Sequence, residues 1–268
     1  MDYLECIKKH VKKARWRNVS SFWLNLASDS LTDLFEDYVC FEKRIMSEIP
    51  FLLSHIDNRN AKILDTCLGS GATTIGLKIA GIENIISNEL SESFIRIAQK
   101  EAIKQEVSLD IRTWDWRQKG FYESFFEEFD VVLCLGNSLT YLLDEKDRLT
   151  ALNHFNAVIK PHGKLIIDER NYAHHFLRGD FRYSGEILYC GKDKVSAKPI
   201  FVSESMVIME YEHKHNFKKA HLMLYPFKEN EMKEMLVEAG FEDIKVYGDY
   251  KKSFRPEEPE FLTYVCQK

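Results

Sequence analysis

Between residues 61 and 170, short apolar runs alternate with amphipathic stretches, and this alternation limits the fold more than any other feature of the chain. The runs are KILDTCLG, NIISNE, VSLDIRTWD, FDVVLCLGN and GKLIIDERN; between them lie ATTIGLKIAG, SESFIRIAQKEAIKQ, FYESFFEEF and DEKDRLTALNHFNAVIK. A strand with one wet face alternates apolar and polar residues. These runs lack a polar face, as strands covered on both sides do. Repeated strand–helix units of this kind predict an α/β fold, a doubly wound and mostly parallel sheet with helices on both faces. Pro161-His162-Gly163 is expected to close the last of these helices and turn the chain into the fifth strand.

The flanks read differently. In residues 1–60, SSFWLNLAS and LTDLFEDYVCFEKRIMSEIPFLLSHI place apolar residues three and four apart, which predicts an N-terminal helical cap ending at the polar Asp57-Asn58-Arg59-Asn60. Residues 61–268 form the core. Within it, PIFVSESMVIMEYEHK and KKAHLMLYPF show period-two patterning around a polar turn near Asn216, which predicts an antiparallel pair inserted as a lid at about 180–228. ENEMKEMLVEAG then reads as a helix, and FEDIKVYGDY and EFLTYVCQK as two closing strands.

Composition excludes several partners. With 45% hydrophobic residues among 268, a sizeable core can form, while a net charge of -5 supplies no long-range attraction to nucleic acid or an anionic membrane. The basic stretch Lys8-Lys9-His10-Val11-Lys12-Lys13 reads as the solvated face of a helix. No apolar run approaches the roughly 20 residues of a spanning helix. The amino terminus, with Asp2 and Glu5, lacks the apolar segment of a secretory signal. The six cysteines are scattered without a CxxC pair, and Cys67 and Cys134 sit in apolar runs as small hydrophobes, so a reducing cytoplasm is expected. His154, His174, His175, His213, His215 and His221 form no metal-ligand spacing, and no metal is expected.

The chemistry gathers at the strand ends. LDTCLGSGA joins the first strand to the first helix, where Gly69 and Gly71 allow a tight turn and close approach of a ligand. The three glycines of a dinucleotide fingerprint are absent, which points to a smaller nucleoside ligand. Glu89, about twenty residues on, can accept both hydroxyls of a ribose. Asp115 and Trp116 after the third strand suit an adenine, carboxylate to the exocyclic amine and indole over the ring. Gly136 and Asn137 follow the fourth strand. In IIDERNY, Arg170 emerges from the fifth strand, where a planar guanidinium suits a carboxylate; pairing with Asp168 or Glu169 is the alternative.

ILDTCLGSGATTI, VVLCLGNSLTYL and LIIDERNY, in this order and spacing, resemble class I S-adenosylmethionine-dependent methyltransferases, and more narrowly the glycine N-methyltransferase family, including glycine/sarcosine methyltransferases. The resemblance covers roughly residues 60–265. It implies a Rossmann-like, seven-stranded sheet and S-adenosylmethionine as cofactor, released as S-adenosylhomocysteine. By resemblance, Asp65, Gly69 and Gly71 line the methionine and ribose part, Glu89 takes the ribose hydroxyls, and Asp115 and Trp116 meet the adenine. Leu135 and Gly136 present backbone near the sulfonium. Asn137 and Arg170 hold the carboxylate of a small amino-acid acceptor, and Tyr189, Tyr211 and Tyr225 close its pocket.

Three departures stand out. Ala72-Thr73-Thr74 follows the glycines where the family carries a valine and an acidic residue. ASDSLTDLFEDY lacks the family's arginine for the cofactor's carboxylate, for which Arg15, Arg17 and Arg44 are the substitutes. Glu169 replaces a histidine, making the acceptor environment more acidic. The expected function is therefore methyl transfer to the amine of glycine or another small amino acid. Alkylation within S-adenosylmethionine itself, a different small acceptor, and a non-enzymatic cofactor-binding regulator are the alternatives. Assembly into a homo-oligomer stays open.

Overall fold

The computed structural model describes residues 31–35, 37–179 and 194–268. Its main sheet runs β3-β2-β1-β4-β5-β10-β9. The strands are β1 (Ile63–Asp65), β2 (Ile85–Asn88), β3 (Asp110–Arg112), β4 (Phe129–Cys134), β5 (Ile159–Arg170), β9 (Glu242–Gly248) and β10 (Phe261–Gln267). The first five pair parallel; β10 inserts antiparallel between β5 and β9. The order reverses between β1 and β4, and ligands of such sheets bind outside the carboxyl ends of the strands at that point. All three residues of β1 are buried and so are five of the six in β4, which explains their unbroken apolar runs.

Helices α1 (Phe41–Leu53), α2 (Ala72–Ile79), α3 (Glu92–Lys104), α4 (Glu145–Val158) and α5 (Glu231–Glu238) connect or cover the strands. The caps explain two of the starts. Ser91 Oγ accepts from Phe94 N–H at the start of α3, and Asp144 caps α4 through Lys146 N–H. Helix α1 packs directly on α2: a Cβ at Gly76 would lie 2.7 Å from Ile49. Ile49 and Leu52 share one cluster with Ile63, Leu133 and Ile166, so this helix belongs to the core of the sheet and can carry a site residue onto it.

Two expectations are revised. The helix before the fifth strand ends at Val158, and β5 begins at Ile159; Pro161–Gly163 lies inside the strand as a register shift, with Phe129 opposite Ile159 and Val131 opposite Lys164. The inserted sheet has three strands: β6 (Val195–Ser203), β7 (Met206–His213) and β8 (Lys219–Leu224). PIFVSESMVIMEYEHK is thus a hairpin turning at Glu204-Ser205, a reversal hidden by apolar residues on both sides of it. One face of this sheet packs Val207, Met209, Tyr211 and Leu222 against Tyr38, Tyr172 and Phe261 at the carboxyl end of the main sheet.

Candidate active site

A cavity opens at the carboxyl ends of β1, β2 and β4, lined by Cys67 and Gly69, by Glu89, and by Leu135 and Gly136. Gly69 and Gly71 both have positive φ, +54° and +86°, so the loop can turn within three residues and start α2 at Gly71. Gly69 N–H then donates to Glu89 Oε2 at 2.9 Å, while the N–H groups of Leu90 and Ser91 bond Oε1. Burial nevertheless lifts the Glu89 carboxyl above its ordinary value. This fixed carboxylate retains lone pairs for two ligand hydroxyls.

At one end stand Asp115 and Trp116. Arg117 grips Asp115 bidentately, Nε to Oδ1 at 2.9 Å and Nη2 to Oδ2 at 2.6 Å, and also pairs with Asp147. Burial opposes the charge on Asp115, but Arg117 outweighs it and holds the carboxyl below its usual value. Trp116 donates its indole N–H to Thr66 O at 2.9 Å and packs edgewise on Phe155, so its ring is locked.

At the other end is Arg44 from α1. Its Nε pairs with Glu48 at 3.2 Å and its Nη2 donates to Thr73 Oγ1 at 3.2 Å. A Cβ on Gly136 would lie 3.7 Å from Nη2. Gly136 and Asn137 both have positive φ, and their N–H groups converge on Asp168, at 3.0 and 2.6 Å. Burial lifts Asp65 and Asp168 each to about 6. This end of the cavity thus presents one guanidinium, a group suited to an anionic ligand end.

Beyond Asn137 lies a tyrosine cluster. Asn137 Nδ2 donates to Tyr172 Oη at 2.8 Å, and its Oδ1 accepts from Arg170 N–H at 3.0 Å. The Arg170 guanidinium donates to Tyr38 Oη at 3.3 Å and lies 5.3 Å from the Phe261 ring centre. Tyr38 meets Tyr211 edge-on at 5.1 Å, and Tyr141 lines the cavity itself.

Residues 63–163 match the model of a methyltransferase domain. A glycine/sarcosine N-methyltransferase of Aphanothece halophytica is 30% identical over 250 residues, covering 93% of this chain and 92% of the relative. The chain belongs to the glycine/sarcosine N-methyltransferase family. The Parasynechococcus marenigrum protein of the same name is 31% identical, covering 90% and 83% of the two chains. The fold agrees with an S-adenosylmethionine-dependent methyltransferase from Clostridium acetobutylicum, TM-score 0.66 at 18% identity over 88% of this chain and 95% of that one. The protein is an S-adenosylmethionine-dependent methyltransferase with the class I fold expected from the alternation of its strands and helices.

In this methyltransferase, Gly69, Glu89, Asp115, Trp116, Leu135 and Gly136 stand on the cavity wall together. Asp65 does not. It is 1% exposed behind the glycine loop, taking the Thr74 hydroxyl at 2.7 Å and Cys67 N–H, and so braces that loop. Gly71 likewise supports the turn from behind, against Ala98. Arg170 and Tyr211 share the tyrosine cluster, and Asn137 links that cluster to the cavity. Tyr225 stands apart: its hydroxyl donates to Glu231 and its ring stacks 3.4 Å from the Arg148 guanidinium. Tyr189, Arg15 and Arg17 lie outside the described residues. Glu169 accepts the Tyr264 hydroxyl at 2.7 Å and lines a second cavity together with Arg170 and Tyr172. Sequence reasoning did not assign Tyr38, Tyr141 or the Asp168 clamp to the site; the only signal was the DER triplet itself.

Proposed function

We propose that this methyltransferase transfers a methyl group from S-adenosylmethionine to the amine of glycine or another small amino acid. The observation that carries the reading is the position of Arg44 beside Thr73 and Gly136 at one end of a cavity whose middle holds Glu89. The family relationship adds weight, since the curated relatives above carry glycine and sarcosine in their names.

In this reading Glu89 takes the ribose hydroxyls, Asp115 and Trp116 meet the adenine, and Arg44 grips the methionine carboxylate that the N-terminal motif leaves without an arginine. The bound cofactor supplies an electrophilic methyl on a positive sulfur. The chain's task is geometric: to hold a neutral amine about 3 Å from that methyl, in line with the breaking bond. Asp168 fixes Gly136 and Asn137 so that the loop after β4 faces the sulfur. Arg170 holds the acceptor carboxylate, which would compete with the Tyr38 hydroxyl for the guanidinium. Tyr38, Tyr141, Tyr172 and Tyr211 exclude water and place oxygen and ring electrons around the cationic nitrogen as it forms. A cytoplasmic setting is part of the proposal, supported by the free thiols of Cys40, Cys67, Cys134 and Cys266.

The test is incubation of the enzyme with S-adenosylmethionine and a panel of amino acids and small amines, followed by mass spectrometry. A methylated small amino acid with matching S-adenosylhomocysteine is expected. Turnover of S-adenosylmethionine alone to a cyclised amino acid would instead establish the intramolecular reaction, which the position of Arg44 disfavours.

A further inference from the structure

A second cavity of about 230 Å³, against about 190 Å³ for the first, lies at the carboxyl end of β5, beside β10 and β9. Its base is Glu169, 3% exposed, and Asn171, 1% exposed, two residues apart and therefore on the same side of the chain as it leaves the strand. Glu169 Oε1 takes the Tyr264 hydroxyl at 2.7 Å, but Oε2 has no hydrogen-bond partner among the described residues. Asn171 spends its Nδ2 on the carbonyls of Pro256 and Pro259, and its Oδ1 also has no partner among them. Buried oxygens are nearly always satisfied, because leaving one bare costs about 1–3 kcal/mol. Here two such oxygens line one cavity, and a group that satisfies Asn171 Oδ1 together with the ionised form of Glu169 must bring hydrogen-bond donors.

The surroundings narrow the class. Burial pushes the Glu169 carboxyl up to about 8, against the Tyr264 hydrogen bond, and the like charges of Glu231 and Asp168 add to the rise. A cation beside it would reverse that. Phe227 and Phe254 form apolar walls, Arg170 completes the inner lining, and Lys228 and Lys233 stand exposed at the rim. Aromatic walls with a buried carboxylate at the base match an ammonium carried on a small carbon skeleton.

We propose that this cavity, distinct from the one that holds Glu89, binds a small amine whose N–H groups reach Glu169 Oε2 and Asn171 Oδ1. A free amine and the ammonium end of an amino acid share this chemistry. Arg170 and Tyr172 also line this cavity, so it adjoins the acceptor site assigned above, while Glu169 and Asn171 play no part in that assignment.

Methyl-labelled enzyme titrated with methylamine, glycine and acetate, without S-adenosylmethionine, reads each cavity on its own. Val246 and Leu262 line the second cavity; Leu135 and Leu142 line the first. Saturable shifts of Val246 and Leu262 with methylamine, absent with acetate, are expected; the response to glycine tells whether the amino acid binds as well as the free amine. Glu169→Gln, which keeps the shape, is expected to weaken that binding roughly tenfold or more, the loss of one charge-assisted hydrogen bond. Val246→Phe, which fills the cavity, should abolish the Leu262 shift while leaving the Leu135 resonance in place as a check on folding. Val246 and Leu262 resonances that ignore every amine, or that respond equally in Glu169→Gln, overturn the site. Shifts at Leu135 and Leu142 bear only on the acceptor reading.

Discussion

In the proposed reading, Arg44 is the residue on which cofactor binding turns. It is 8% exposed, is held on both sides by Glu48 and Thr73, and belongs to a helix packed into the core, so its guanidinium is already placed before a ligand arrives. Arg44→Met should weaken S-adenosylhomocysteine binding by about 30-fold or more, the lower end for removing one partner of a buried charge pair. Calorimetric titration checks this, and unchanged affinity would reject the role. Arg170 and Tyr225 form a contrasting pair. Arg170→Ala should raise the acceptor KM by roughly 100-fold with the cofactor KM unmoved. Tyr225→Phe loses only its bond to Glu231, so acceptor KM should stay within about twofold while stability falls by about 1 kcal/mol. A large KM change in Tyr225→Phe would return that residue to the acceptor pocket.

Among the elements, β5 does more than pair. Its Asp168 gathers two N–H groups from the loop after β4, tying the carboxyl ends of adjacent strands into one unit. An asparagine there has one acceptor oxygen where the carboxylate has two. Asp168→Asn is therefore expected to lower kcat about tenfold, by letting the loop near the sulfur drift, with far-UV circular dichroism unchanged. The turn into α2 makes a similar demand on the backbone. Gly71 has φ +86°, and a Cβ there would lie 3.0 Å from Ile75 and 3.2 Å from Ala98. Gly71→Ala should cost about 1–3 kcal/mol in urea unfolding and weaken the cofactor site with it. These elements were legible because fully buried strands read as apolar runs and helices keep a 3.6-residue period. The β6–β7 hairpin was not legible, because a two-residue turn between apolar stretches leaves period two almost unbroken.

For the whole molecule, the pH response is dominated by the three carboxyls whose values are raised furthest. Asp65 and Asp168 move from 3.8 to about 6 and Glu169 from 4.5 to about 8, all through burial. The native state then binds these protons more tightly than the unfolded chain, so stability falls as pH rises from about 4 towards 8. Urea unfolding of the ligand-free enzyme at pH 5, 6.5 and 8 should show this decline, and Glu169→Gln should flatten its upper part; equal slopes would contradict the burial of a bare carboxyl. The sequence by itself determined the sheet, the helices between its strands and the strand ends at which a ligand binds, because periodicity and glycine placement are local properties that follow directly from residue order. Tertiary packing decided that Arg44 reaches the cavity, that Asp65 braces rather than lines it, that Tyr38 and Tyr172 rather than Tyr225 gather near Arg170, and that Glu169 lines a second cavity. Those outcomes depend on packing between segments far apart in the chain, 132 residues for Tyr38 and Arg170, and on which face of a strand each side chain takes once its register is set.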